Sequence, residues 1–221
     1  MHDFSYAHKN TSGGERVTRT APFNKPDTGE KLSKIRAAAF KEEIPVSDDE
    51  TLNFLITLVR ALRPENILEL GTAVGVSGSA MLLNSEKSNL TTIERDEKFC
   101  ARARFTFSEV GVSDRVTLIC GDAGEVINTL DGKYDFIFLD CAKVQYVKYL
   151  PRLKTLLRSG GVLLADDVLL FGFVTGEQPV PPKRRMLVEH IKEYISAVTS
   201  DPQLTTTVLD IGNGVALSVK K

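Results

Sequence analysis

Five short apolar runs set the rhythm of the middle of this chain: NILEL (66–70), LTTIE (90–94), VTLIC (116–120), FIFLD (136–140) and GVLLAD (161–166). None alternates cleanly between apolar and polar residues, so each reads as a strand buried on both faces. Stretches with helical spacing lie between them, around 76–85, 97–110, 124–130 and 145–158. Strand and helix in alternation predict a parallel sheet covered on both sides. Upstream, a helical pattern begins at Lys31, with Leu32, Ile35, Ala38 and Ala39 on one face, and stops near Pro45. A second helix is expected over 48–62, with Ser47 as N-cap and Glu50 three residues later completing a capping box. Downstream, a helix over 183–198 precedes LTTTVLDIGNGVALSVKK, in which Gly212-Asn213-Gly214 reads as the turn of a hairpin. The expected fold is α/β: a doubly wound, Rossmann-like, mostly parallel seven-stranded sheet closed by a C-terminal antiparallel hairpin. Residues 1–30 are polar and turn-rich and read as an irregular segment ahead of one domain over 31–221.

A chain of 221 residues accommodates one such domain with a sizeable core. The net charge of −1 offers no global attraction for nucleic acid. Cys100, Cys120 and Cys141 fit no zinc spacing and leave one thiol over, so reduced thiols in a cytoplasmic protein are expected. MHDFSYAHKN lacks the apolar centre of a signal peptide, and no run has the length of a membrane span.

In doubly wound sheets ligands bind beyond the carboxyl ends of the strands, and the chemistry-bearing residues of this sequence gather there. ILELGTAVGVSGSA follows the first strand and opens a helix; Gly71, Gly75 and Gly78 allow a tight turn and close approach of the backbone to a ligand. The spacing GxxxGxxG is not the GxGxxG of dinucleotide folds, and Tyr146 is followed four places on by Leu150 rather than the lysine of a short-chain dehydrogenase. A nicotinamide enzyme is therefore disfavoured. Glu69, an acid near the end of a buried strand, needs a partner, and a cationic ligand over the turn would provide one. Glu94, at the end of the second strand, is placed to accept from ribose hydroxyls. Gly121-Asp122-Ala123 ends the third strand, where a small residue beside an acid could flank an adenine ring. Singly, each of these acids could be no more than a solvated turn residue.

Together, ELGTxxGxS, IE, GDA, FLDxxK and ADDVL resemble the metal-dependent class I S-adenosylmethionine O-methyltransferases, the group that contains catechol and caffeoyl-CoA O-methyltransferases and their bacterial relatives. The likeness runs from about Lys31 to the C-terminus, with the motifs in order. It implies that Glu69, Gly71, Thr72 and Ser77 line the methionine end of S-adenosyl-L-methionine, that Glu94 binds the ribose, and that Asp122 and Ala123 flank the adenine. Ser47 falls where the family carries a residue touching the cofactor. Val76 departs from the aromatic residue common between that glycine and serine. The family is commonly dimeric, which implies a homodimer.

Asp140 closes the fourth strand and Asp166-Asp167 the fifth. Neighbouring strands lie about 4.8 Å apart, so these carboxylates can converge on one ion. Hard oxygen donors suit Mg²⁺, or Mn²⁺ or Ca²⁺, and not zinc. The plainer alternative is a helix-capping Asp166 and a loop Asp140. The family usually has Asp-Asn at the last pair, so Asp167 adds a charge. Lys143 stands three residues after Asp140; beside a cation its pKa should fall toward neutrality and make it a usable base, and the family's lysine here is thought to take the substrate proton. Ala142 replaces an acid of the plant enzymes.

Such a site calls for a substrate with two adjacent oxygens. A catechol is one; 5-hydroxyuridine, whose 5-OH neighbours the O4 carbonyl, is another. DCAKVQYVKYL and PPKRRMLVEHIKEY resemble bacterial members that methylate this base at the tRNA wobble position. An anticodon-loop base can be splayed into a pocket, and Lys183, Arg184 and Arg185 could hold its phosphates, helped by eight Lys/Arg against six Asp/Glu over residues 1–45. The tRNA anticodon loop is therefore the favoured partner, with a small catechol as the alternative and a non-catalytic cofactor-binding protein as a remote one.

Overall fold

The computed structural model describes residues 25–221. Of the irregular segment expected over 1–30, residues 1–24 lie outside the described residues. The first helix, α1 (Gly29–Lys41), begins two residues earlier than expected, after residues 25–28 without regular structure. Next come α2 (Asp49–Leu62), β1 (Asn66–Leu70), α3 (Val76–Leu83), β2 (Asn89–Glu94), α4 (Glu97–Glu109), β3 (Val116–Cys120), α5 (Ala123–Thr129), β4 (Tyr134–Leu139), α6 (Tyr146–Leu156), β5 (Leu157–Ala165), α7 (Arg185–Ser200), β6 (Leu204–Leu209) and β7 (Val215–Lys220). The seven strands form one sheet in the order β3-β2-β1-β4-β5-β7-β6. β1 to β5 run parallel, and β7 pairs antiparallel with both β5 and β6. The chain order reverses between β1 and β4, which is where such sheets open a crevice at the strand ends.

Each central strand feeds both layers. Leu68, Leu70, Ile137, Leu139 and Leu163 pack toward residues of α6 and α7, whereas Ile67, Phe136, Phe138, Val162 and Leu164 pack toward α1, α2, α3 and α4. This two-sided burial is why the strand sequences lack a polar face. Among the described residues no helix is long and apolar enough to cross a membrane.

Three local expectations are corrected. The N-cap of α2 is Asp48, whose side chain accepts from the Thr51 amide at 2.8 Å; Ser47 precedes it, and Glu50 turns instead to the Gly212 amide at 3.1 Å. The fifth strand begins at Leu157, directly after α6, and an irregularity between its pairs Tyr134–Leu157 and Phe136–Val162, with Gly160 at φ 73° inside it, precedes the regular ladder. Cys100 and Cys120 are joined as a disulfide rather than standing as free thiols, leaving Cys141 free. α4 lies over β3 so that their Cα atoms are 6.2 Å apart, inside the bridging range, a proximity that linear spacing does not reveal.

Phe138 is fully buried in β4 at the centre of the sheet. Phe138→Ala should lower the unfolding free energy by about 3–5 kcal/mol, read as a lower urea midpoint with unchanged slope.

Candidate functional site at the strand ends

The backbone ladder continues one residue past four of the five parallel strands. Gly121 donates to the Glu94 carbonyl at 2.8 Å, Gly71 to Ile93 at 3.0 Å, Asp140 to Leu70 at 2.9 Å and Asp166 to Leu139 at 3.0 Å. The five parallel strand ends are thereby aligned, and their acids share one edge. Gly71, at φ 102°, must be glycine: a Cβ there would overlap the Asp140 carbonyl. The turn continues through Ala73 at φ 45° to Gly75 at φ 83°, which caps α3. Gly78 lets α3 settle on the sheet, since a Cβ would approach Glu69 Oε2 to 3.0 Å.

Glu69 is wholly buried, and its partners within the chain are hydroxyls. Ser77 Oγ donates at 2.5 Å and Thr92 Oγ1 at 2.6 Å, with Thr72 Oγ1 on Thr92 at 2.5 Å. Burial pushes its pKa up to about 7; the two hydroxyl bonds oppose this, and the charges of Asp140 and Glu94 reinforce it. Glu94 uses one oxygen to accept from the Ala73 amide and the other from the Asp96 amide, both at 2.9 Å. It thus ties the glycine turn to the start of α4, and each oxygen keeps a further lone pair. Asp122 caps α5, accepting from Gly124 at 2.8 Å and Glu125 at 3.3 Å, and Ala123 is that helix's first residue. A cavity of about 320 Å³ opens beside Asp122 and is bordered by Gly124, Gln145, Lys148 and Tyr149. Ser47 is held by its carbonyl, which accepts from Arg36 Nη2 at 2.7 Å.

Asp140 and Asp167 converge on one positive centre. Lys143 Nζ lies 2.8 Å from Asp140 Oδ1 and 2.9 Å from Asp167 Oδ2. Asp166 is 3% exposed, and its Oδ1 accepts from the Asp167 amide at 2.8 Å and from Thr51 Oγ1 at 3.4 Å. Burial first, then Asp167 and Asp140, raise its pKa well above the carboxylate range. Tyr146 clamps the two strand ends from below, donating to the Leu139 carbonyl at 2.9 Å and also reaching that of Asp166 at 3.3 Å. Asp167 stands at φ 58°, a left-handed conformation that Asn and Asp tolerate better than other side chains.

Burial alone would favour the neutral amine of Lys143, but Asp140, Tyr146, Asp167 and Asp166 outweigh it and raise the pKa well above 10.5. The lowering expected of Lys143 beside a bound ion does not arise between the acids alone, where the lysine itself is the cation. Nor do the three acids form a ready ligand set: among the described residues no group of three or more His, Cys, Asp or Glu side chains is arranged to hold a metal. The donor chemistry nonetheless fits a hard ion, because two carboxylate oxygens already share a cation and the third acid is buried behind them.

Of the basic trio, Lys183 and Arg184 lie in a 3-10 turn (Pro182–Arg184) and Arg185 starts α7. Arg184 stacks against Phe171 and Phe173, 6.0 and 5.8 Å from their ring centroids, so it is engaged within the protein. Lys183 and Arg185 are exposed. Sequence reasoning missed Thr51 and Tyr146, since a threonine inside a helix and a tyrosine at a helix start carry no distinctive spacing.

A doubly wound sheet with a glycine turn, a ribose-range acid and paired acids at its strand ends defines a cofactor-binding α/β protein. A family model described as O-methyltransferase matches residues 23–221, and the chain belongs to this O-methyltransferase family. It is similar to caffeoyl-CoA O-methyltransferase of Populus kitakamiensis, 28% identical over 207 residues covering 87% of each chain. The SAH-bound methyltransferase PaMTH1 of Podospora anserina superposes with a TM-score of 0.83 at 26% identity, over 91% of this chain and 92% of that one. The O-methyltransferase TomG of Streptomyces achromogenes, in complex with SAM, gives 0.78 at 26% identity, over 91% and 93%. The architecture is a Rossmann-like methyltransferase fold.

The raised pKa of Glu69 makes a pH prediction. The folded state holds the proton more tightly than the unfolded one, so this stability is complete below pH 4.5 and is lost as pH rises through about 7. Over that window wild type should lose stability relative to Glu69→Gln, with a slope approaching about 1.4 kcal/mol per pH unit. Urea titrations of both proteins at several pH values measure it.

Proposed function

We propose that this chain transfers the methyl group of S-adenosyl-L-methionine to a hydroxyl that has a second oxygen beside it on a small aromatic ring, and that it uses a divalent metal to do so. The observation that carries this reading is the convergence of Asp140 and Asp167 on one cationic centre at the carboxyl ends of β4 and β5, backed by buried Asp166. The cofactor assignment is supported by SAM and SAH in the similar solved structures. The glycine turn, Glu69, Thr72 and Ser77 would take its methionine end, Glu94 the ribose, and Asp122 and Ala123 the adenine side, with Ser47 beside it.

Asp140, Asp166 and Asp167 would hold Mg²⁺, Mn²⁺ or Ca²⁺, which when bound supplies Lewis-acid polarisation of the substrate oxygens. The chain's own residues do the rest. The strand-end crevice holds the acceptor hydroxyl against the sulfonium methyl at near-attack distance. The hydroxyl oxygen bonds to the methyl carbon, the carbon–sulfur bond breaks, and S-adenosylhomocysteine leaves. Lys143, held as an ammonium between Asp140 and Asp167, would first give one proton to water, and the neutral amine would then accept the hydroxyl proton as the methyl is transferred.

A small aromatic acceptor is preferred because a similar curated protein is a caffeoyl-CoA O-methyltransferase. The 5-hydroxyuridine of a tRNA anticodon loop presents the same oxygen pair. Against that reading, Arg184 of the three expected phosphate-binding cations is engaged by two phenylalanines.

Transfer to a catechol should require Mg²⁺ and stop with EDTA. Asp140→Ala should cut metal-dependent kcat by about 100-fold or more, a loss of several kcal/mol of transition-state stabilisation, while leaving cofactor affinity within severalfold by calorimetry. Lys143→Ala should lower kcat by about 10²–10⁴-fold; an unchanged rate removes it as the base. Transfer to a hydroxyuridine tRNA but not to catechols would replace the small-aromatic reading, and bound cofactor without transfer to either would mark a non-catalytic binder.

A further inference from the structure

The segment that follows the paired acids is held in an uncommon conformation. Asp167, Leu170 and Phe171 have φ of 58°, 46° and 60°, a left-handed conformation that is unfavourable for non-glycine residues, least so for aspartate. Such a run persists only where its surroundings over-determine it. What surrounds it is the turn of the β6–β7 hairpin. The Val168 amide donates to the Gly214 carbonyl at 2.8 Å, and the Leu169 and Leu170 amides donate to the Asn213 carbonyl at 2.9 and 3.1 Å. A Cβ on Gly214, itself at φ 89°, would overlap the Leu169 side chain.

The other side of the same turn presses on the start of α2. The Gly212 amide donates to Glu50 Oε2 at 3.1 Å, and a Cβ on Gly212 would overlap Asp48 and the Thr51 hydroxyl. Thr51 in turn reaches Asp166 Oδ1 at 3.4 Å. The hairpin turn is thus wedged between the helix start that touches Asp166 and the backbone that leaves Asp167.

We propose that the Gly212-Asn213-Gly214 turn is a positioning element: through three backbone bonds to residues 168–170 and its contact with Thr51, it sets where the Asp166 and Asp167 carboxylates point. This goes beyond a hairpin connection and rests on reading Asp166 and Asp167 as reactive-site acids. In this role the turn acts through the acids and not as a catalytic residue.

The test compares wild type, Gly214→Ala and Asn213→Ala by amide hydrogen exchange, SAH calorimetry, and steady-state transfer to catechol with Mg²⁺. In Gly214→Ala the amides of residues 168–170 should exchange at least 10-fold faster while those of β1 do not change. kcat should fall at least 10-fold, with SAH affinity and the SAM KM within twofold. Asn213→Ala keeps the carbonyl that accepts the bonds and should behave as wild type. Unchanged exchange at 168–170 in Gly214→Ala overturns the proposal, and so does equal acceleration in β1, which marks general destabilisation. If wild type methylates no catechol, the proposed function fails, while exchange still decides the positioning role. Should Gly214→Ala not fold, Thr51→Val, which removes the hydroxyl from Asp166 and sets a methyl against Gly212, should accelerate the same amides severalfold; no change there overturns the proposal.

Discussion

The approach of the Asp140 carbonyl to Gly71 is the contact on which the strand-end geometry depends. It exists because the hydrogen-bond ladder does not stop where the strands stop: Asp140 still donates to Leu70, and Gly71 to Ile93. A side chain at position 71 would force β1 and β4 apart at the switch point, where the crevice of a doubly wound sheet opens. The left-handed glycine also turns the chain toward α3, so that Ser77 can reach back to Glu69. One missing Cβ therefore couples the sheet, the glycine turn and the buried acid.

Gathering Glu69, Glu94, Asp122, Asp140, Asp166 and Asp167 on one edge concentrates negative charge, and the fold disposes of it in three ways. Glu69 is surrounded by hydroxyls and raised in pKa, which lets it hold a proton when no ligand is near. Glu94 and Asp122 are spent on backbone amides at a turn and a helix start, where partial positive charge is available without a basic side chain. Among the described residues, Asp140 and Asp167 share a full charge, that of Lys143. Asp166, buried behind them, is held instead by the Asp167 amide and the Thr51 hydroxyl, so only the outer pair has a flexible side chain as its counter-charge.

Most of the sheet was legible in the sequence because a strand buried on both faces leaves a continuous apolar run, and every expected strand is present within a few residues. The strand-end acids were legible for the same reason: a carboxylate stands out at the end of such a run. What was not legible depends on proximity across the fold. The Cys100–Cys120 disulfide joins a helix to a strand. The cap lies at Asp48 rather than Ser47, and Glu50 is drawn to Gly212 in the distant hairpin. The high pKa of Lys143 follows from two carboxylates on different sides of one amine, and a sequence shows only that the lysine is three residues from one of them. Arg184 looked like an exposed cation because nothing in KRR announces Phe171 and Phe173.

Position 167 combines a backbone constraint with an electrostatic one. The conformation there excludes most side chains, and asparagine and aspartate both accept it, so backbone geometry does not choose between them. The choice is electrostatic. An aspartate puts a second charge beside Asp166, whose pKa it helps to raise, and gives Lys143 a second carboxylate to bind. An amide would accept from Lys143 through its oxygen without the charge, leaving the ammonium less strongly held. Aspartate at this position therefore makes the lysine a firmer resident of the site, so that whatever displaces it must carry more positive charge than a single ammonium; a divalent ion does.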